Sequence, residues 1–265
     1  MLRLTIKQAL KEASLVLNNK KEASILLQHL LNFDQVEIIL NENNPLENYK
    51  EYQTLIKRRQ NNEPIEYITQ KVSFYSKEFF IKKGALIPRP ETELLIEKAL
   101  ELKPKKVAEI GTGSGVVSIM LAMELKDVTI IASDISQEAI DIAKINAKKF
   151  KVEDKIKFVK TNYLDNIYDE FDMIISNPPY IEDGLKLEQN LSYEPQNALF
   201  GGKVGDEMLK DIIDIWIVKK SPYLLCEMGY DQKDSLTKYL TNMDIKEFYF
   251  YKDLAGLDRG FIAKR

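Results

Sequence analysis

The tetrapeptide Asn177-Pro178-Pro179-Tyr180 brings together residue types suited to holding a planar nitrogen. An amide or arylamine nitrogen is a poor nucleophile because its lone pair is delocalised into the neighbouring π system. If acceptors hold both of its N–H bonds, the nitrogen can pyramidalise and aim that lone pair at an electrophile. Asn177 offers a side-chain carbonyl for this, and Pro178 a backbone carbonyl. The two prolines fix φ and carry no N–H, so the turn is stiff and its carbonyls stay available. Tyr180 adds a flat ring to pack against a planar group. A proline-stiffened loop behind a strand is the blander reading. The position directly after the apolar run Phe171 to Ser176 favours chemistry instead.

A second cluster is Glu109-Ile110-Gly111-Thr112-Gly113-Ser114-Gly115, between a strand pattern (Val107 to Ile110) and an apolar helix (Val116 to Leu125). Glycines let the backbone turn sharply and approach a ligand, with helix N–H groups facing it. A dinucleotide site would need G-x-G-x-x-G. Here the spacing is G-x-G-x-G, with Val116 in the last place, which fits a nucleoside better than a pyrophosphate. Asp134 follows 23 residues after Gly111 at the end of the next strand pattern, where a carboxylate can accept both ribose hydroxyls. Glu109 is placed to face a ligand ammonium, directly or through water.

The rest of the composition narrows the chemistry. One His, one Cys and one Trp in 265 residues leave no two-His metal site, no Cys-based zinc cluster and no internal disulfide. No metal is expected. His29 falls off the apolar stripe of Ala23, Leu26, Leu27, Leu30 and Leu31 and reads as a surface residue. Cys226, in the apolar run after Tyr223, reads as a small buried hydrophobe. With 38 Lys+Arg against 41 Asp+Glu, the net charge is -3, and no basic segment stands out. That argues against a duplex nucleic-acid substrate. No signal-peptide core or membrane span is visible, so a cytoplasmic protein is expected.

The elements that position these clusters fall into two regions. The first is helical; one of its helices is expected to start at Asn44-Pro45, an N-cap followed by proline. Next come strand patterns at Ile65 to Ile68, Val72 to Tyr75 and Phe79 to Ile81. Beyond Pro88 and Pro90, strands and helices alternate to the end, as a doubly wound, mostly parallel α/β sheet requires. Such sheets bind ligands at the carboxyl ends of their strands. The expected division is residues 1–62, a hairpin linker 63–88, and a catalytic domain 89–265. The connection from Asn177 to Gly205 spans 29 residues, long enough to suggest a loop that covers substrate.

Glu109 to Gly115 with Asp134 resembles the S-adenosylmethionine loop of class I methyltransferases. Asn177-Pro178-Pro179-Tyr180 resembles the motif of those that methylate adenine N6, cytosine N4 or glutamine amides. Three further stretches are similar to the release-factor glutamine N5-methyltransferase family. These are Glu63 to Ile68 with Leu86 to Leu95, Tyr193-Glu194-Pro195 with Gly201-Gly202, and Asp253 to Arg259. The resemblance implies a seven-stranded Rossmann-like sheet, S-adenosylmethionine as cofactor, and a helical N-terminal domain that recognises the release factor. The implied reaction methylates the glutamine of a Gly-Gly-Gln loop on a protein partner, and the chain itself is expected to be a monomer. By position, Glu109, Gly111, Thr112, Gly113, Ser114, Gly115, Asp134, Tyr163 and Asn177 would meet the cofactor. Asn177, Pro178, Pro179 and Tyr180 would hold the substrate, with Asn177, Pro178 and Tyr180 catalytic. Tyr163 stands where relatives often have Trp, Asn162 where many are acidic, and Gln70 where a glycine is common. Arg89 and Glu91 would either line the site or pair with other side chains. A nucleic-acid amino methyltransferase and a non-catalytic cofactor sensor are the competing readings.

Overall fold

The computed structural model describes residues 4–265. One compact unit comprises the chain up to Lys71 together with Glu188–Tyr193; the other comprises Val72–Leu187 and Glu194–Arg265. No helix among the described residues is long and apolar enough to cross a membrane.

The first unit is built from α1 (Ile6–Leu17), α2 (Lys20–Leu31), α3 (Gln35–Leu40), α4 (Tyr49–Gln60) and α5 (Ile65–Thr69). Thr5 starts α1 through a capping box with Gln8, and Asp34 starts α3 through one with Glu37. Ala9 and Ala13 on α1 and Ala23 on α2 are buried in one core with Leu26 and Leu27. The hydroxyl of Tyr52 on α4 donates to the Ala23 carbonyl at 2.7 Å, satisfying the one polar atom this buried ring carries inward. Arg59 grips Glu22 through two nitrogens, at 2.7 and 3.0 Å, tying α4 to α2. His29 is exposed, as its place on the helix predicts.

Two expectations fail in this unit. Asn44-Pro45 does not open a helix: Thr5 and Pro45 form an antiparallel bridge, and α4 begins four residues later at Tyr49. That pairing joins positions remote in sequence, which local capping rules do not see. Residues 65–68 are not a strand but lie in α5. Tyr67, Ile68 and Thr69 are buried in succession, which a half-buried strand of period two cannot do. Gln70 ends this helix at φ +58, the left-handed conformation that glycine adopts at least cost.

The second unit opens with a hairpin, β1 (Lys71–Phe74) and β2 (Lys77–Phe80), and α6 (Thr92–Leu102). Then β3 (Lys106–Ile110), α7 (Val116–Glu124), β4 (Thr129–Asp134), α8 (Gln137–Phe150), β5 (Ile156–Lys160) and β6 (Met173–Ser176) alternate. A short parallel pair, β7 (Ile181–Glu182) with β8 (Phe200–Gly202), occupies the long connection. It is followed by α9 (Glu207–Lys219), β9 (Tyr223–Glu227), α10 (Lys233–Asn242), β10 (Glu247–Lys252) and β11 (Asp258–Lys264). The main sheet has seven strands in the order β10-β11-β9-β6-β3-β4-β5. Only β11 runs against its neighbours. The fold is therefore the doubly wound α/β sheet that the alternation predicts. From β3 the chain winds outward through β4 and β5, then returns to β6 on the other side. That reversal makes the carboxyl ends of β3 and β6 a switch point.

Trp216, Ile174, Leu224, Cys226 and Phe261 are fully buried in one cluster of this unit. Burial pushes the Cys226 thiol far above its ordinary pKa, so it behaves as the small hydrophobe expected.

Candidate active site

Each strand that ends at the switch point delivers one part of a cavity of about 290 Å³. From β3 comes the glycine loop, whose Gly111 and Thr112 N–H groups both donate to the Ser133 carbonyl at 2.9 Å. Gly111 and Gly113 have φ of +72° and +56°, and a Cβ on either would meet nothing within 4 Å. Glycine is thus required by backbone conformation, and the space beside the loop is open. At Gly115 the requirement is also steric, since a Cβ would lie 3.0 Å from that of Ala143 on α8.

The end of β4 supplies Asp134. Its carboxylate accepts from Gly113 N–H at 2.9 Å and from Ser136 N–H at 2.8 Å, which aligns loop and carboxylate. Burial raises its pKa, and the backbone donors partly offset that. Glu109 lies within the same wall, 3 % exposed. Its Oε2 accepts from Ser118, and from Thr112 at 2.7 Å. Burial pushes the carboxyl up to about 7 despite those hydroxyls.

From β6 come Asn177, Pro178 and Pro179, all lining the cavity. Asn177 Nδ2 donates to Thr92 Oγ1 at 2.9 Å. No described protein group donates to Asn177 Oδ1 or to the Pro178 carbonyl, so both acceptors are available. Tyr163 lines the same cavity beyond β5, and its hydroxyl donates to Asp211 on α9 at 2.8 Å.

Tyr180 is placed differently from the sequence-based expectation. It lies outside the cavity lining, packs against the core around Trp216, and donates its hydroxyl to Glu227 Oε1 at 3.2 Å. Arg89 and Glu91 do not line the cavity either. Arg89 pairs with Glu194 at 2.6 Å, and Glu91 comes to 4.0 Å from Arg259. Glu194 also accepts from Ile87 N–H at 2.9 Å, so one buried carboxylate anchors the segment that brings Leu86 and Pro88 to the cavity.

Sequence reasoning missed the roles of Thr92, Glu227 and Asn146, whose side chain bonds the backbone of Phe80 and Ser114. Thr92 lies within the Leu86 to Leu95 stretch that carries the resemblance, where nothing singles it out, and the other two belong to no local motif. A polar residue at an otherwise apolar helix position is the only signal Asn146 offers, and Glu227 shows only as an acid closing a buried strand.

The residues that line this cavity include two carboxylates and no Lys, Arg or His. A phosphate-bearing ligand would find no counter-charge there, whereas a cationic nucleoside suits it.

The chain matches the family description "Methyltransferase small domain" over residues 90–220 and "PrmC N-terminal domain" over residues 2–69. It is 35 % identical to a release factor glutamine methyltransferase of Clostridium acetobutylicum, over 99 % of both chains. The chain belongs to the release factor glutamine methyltransferase family. Within this family's wider relations, it is 34 % identical to a bifunctional methyltransferase of Rickettsia conorii, spanning 97 % of this chain but 57 % of that protein. Among solved structures, the ribosomal protein L11 methylase of Lactobacillus delbrueckii subsp. bulgaricus superposes with a TM-score of 0.51 at 23 % identity, over 70 % of this chain and 84 % of that one. That likeness establishes the class I methyltransferase fold of the catalytic unit, the fold expected of the family.

Proposed function

We propose that the protein methylates the side-chain amide nitrogen of the glutamine in the Gly-Gly-Gln loop of peptide chain release factors, with S-adenosylmethionine as donor. The observation that carries the chemistry is the pair of available acceptors, Asn177 Oδ1 and the Pro178 carbonyl, at the cavity that also holds Glu109 and Asp134. Glutamine rather than a nucleobase follows from likeness to release factor glutamine methyltransferases along the whole chain, including the N-terminal region.

The cavity suits the cofactor by its charge: two acids, open glycine positions and apolar walls that include Val116, Ile135 and Ile212. Gly111 to Gly115 would hold its methionine part, Glu109 its ammonium, Asp134 its ribose, and Tyr163 would flank its base. Bound there, S-adenosylmethionine supplies a methyl group already activated by its sulfonium. The chain therefore needs no nucleophile of its own. Asn177 and Pro178 accept the two N–H bonds of the substrate amide and hold its nitrogen out of conjugation. Pro178 and Pro179 keep those acceptors rigid, so their alignment costs little reorganisation when the reaction occurs. Tyr180 fastens the loop from outside the cavity. The helical unit would recognise the body of the release factor.

The test is transfer of a labelled methyl group to a purified release factor and to a variant whose Gly-Gly-Gln glutamine is replaced. Label confined to the unaltered factor is the expected result. Equal labelling of both proteins, or labelling of DNA alone, would overturn the proposal.

A further inference from the structure

Two residues from distant parts of the chain, Thr92 and Glu227, meet behind Asn177. Thr92 opens α6, Glu227 closes β9 and Asn177 follows β6. Asn177 Nδ2 donates to Thr92 Oγ1 at 2.9 Å, and that hydroxyl donates to Glu227 Oε2 at 2.7 Å. The other carboxylate oxygen, Oε1, takes the Tyr180 hydroxyl at 3.2 Å. Glu227 and Thr92 are 1 % and 2 % exposed, so water does not substitute for any of these partners.

With Glu227 ionised, the order of donors has one consistent direction. The carboxylate then offers only lone pairs, with Oε1 taking the Tyr180 hydroxyl, so Thr92 gives its single proton to Oε2. What remains on Thr92 Oγ1 is a lone pair, which only an N–H can fill. The Asn177 amide therefore turns its NH₂ group toward Thr92 and leaves Oδ1 for the cavity. A reversed amide would set two oxygens against each other at hydrogen-bond distance.

Building on the proposed function, we infer that Thr92 and Glu227 are positioning residues that decide which end of the Asn177 amide meets the substrate. With Oδ1 presented, Asn177 accepts an N–H of the glutamine to be methylated. With Nδ2 presented, it would oppose that N–H with another. Glu227 also anchors Tyr180, so one buried carboxylate sets both polar side chains of the Asn177-to-Tyr180 turn.

The experiment compares the full-length wild type with Thr92→Val, which removes the hydroxyl at constant shape, and Thr92→Ser, which keeps it. Two readouts are taken. The first, on protein without ligands, is hydrogen exchange of the Asn177 side-chain amide, observed by NMR after selective ¹⁵N-asparagine labelling. Protection is expected in wild type and Thr92→Ser and is lost in Thr92→Val. The second is methyl transfer to the release factor. In Thr92→Val, kcat is expected to fall at least tenfold, while KM for the release factor and the Kd of S-adenosylhomocysteine stay within threefold. Thr92→Ser is expected to restore kcat to within threefold of wild type. Thr92→Ala removes the same hydroxyl without crowding and must behave as Thr92→Val does. Unchanged Asn177 protection in Thr92→Val, turnover within threefold of wild type, or a Thr92→Ser protein as slow as Thr92→Val would each overturn the inference. If wild-type protein fails to label the release factor, the proposed substrate falls instead, and the exchange readout still decides the orientation of Asn177.

Discussion

Asn146 on α8 holds Phe80 on β2 through both of that residue's backbone polar groups. Phe80 N–H donates to Asn146 Oδ1 at 2.7 Å, and Asn146 Nδ2 donates to the Phe80 carbonyl at 2.9 Å. The side-chain amide imitates a neighbouring strand. Its second N–H donates to the Ser114 carbonyl at 2.9 Å, so the same buried group fastens the hairpin and the glycine loop.

Asn146→Ala is therefore expected to cost about 3 kcal/mol, because it strands buried backbone groups without partners. Urea unfolding followed by fluorescence measures this. Affinity for S-adenosylhomocysteine, read by calorimetry, should fall with it, since the Ser114 carbonyl loses its anchor. A loss below about 1 kcal/mol would show that Asn146 is not the clamp described.

Gly201 on β8 packs against the turn that carries the substrate acceptors. A Cβ there would lie 2.4 Å from the Pro179 carbonyl oxygen and 2.5 Å from that of Gly205, and both obstacles are backbone. Gly201→Ala should push Pro178 and Pro179 out of place. Turnover is expected to drop at least tenfold, with S-adenosylhomocysteine binding changed far less, because the glycine loop and Asp134 are untouched. Steady-state kinetics beside calorimetry separates the two effects.

Stability should depend on pH through two buried acids. Burial pushes Glu109 and Glu227 up to about 7 from an ordinary value of 4.5. Between those limits the folded state binds more protons than the unfolded chain, so stability falls as pH rises from about 4.5 to about 7 and levels off above. Each group contributes on the order of 3 kcal/mol to that decline. Thermal unfolding between pH 5 and 8 should slope downward from these groups. The double variant Glu109→Gln with Glu227→Gln should have a flatter profile. An unchanged slope would contradict the assignment.

Gln70 caps α5 in a left-handed conformation, which glycine adopts at least cost. That conformation costs an L-residue about 1–2 kcal/mol, and the greater freedom of unfolded glycine returns about 0.5–1 kcal/mol of that. Gln70→Gly is expected to stabilise the protein by about 0.5–1 kcal/mol, visible as a rise in Tm of about 1–3 °C. A fall in Tm would mean that the Gln70 side chain contributes contacts that outweigh its backbone strain.

Much of this protein is legible along the chain because its signals are local. Alternating strands and helices from Lys106 onward, the glycines before Val116, and the acid at Asp134 each lie within a single element or the turn that follows it. The Asn177-to-Tyr180 turn is equally plain, since proline restricts the backbone wherever it stands. Short elements are less legible. Five residues at Ile65–Thr69 hold too few positions for period two to be told from a helical turn, and burial against α2 and α4 settles the matter.

What only the tertiary structure decided are the partners of each polar group. The sequence determines that Asn177 has an amide, two prolines behind it and a strand before it. It does not determine which way that amide faces. That depends on Thr92, 85 positions earlier, and on Glu227, whose carboxylate meets Thr92 across 135 positions. The same holds for Tyr180, whose ring the sequence offers to a ligand and whose hydroxyl the fold assigns to Glu227. A hydrogen bond is directional and short-ranged, so its partner is chosen only once packing has brought the two groups within 3 Å or so.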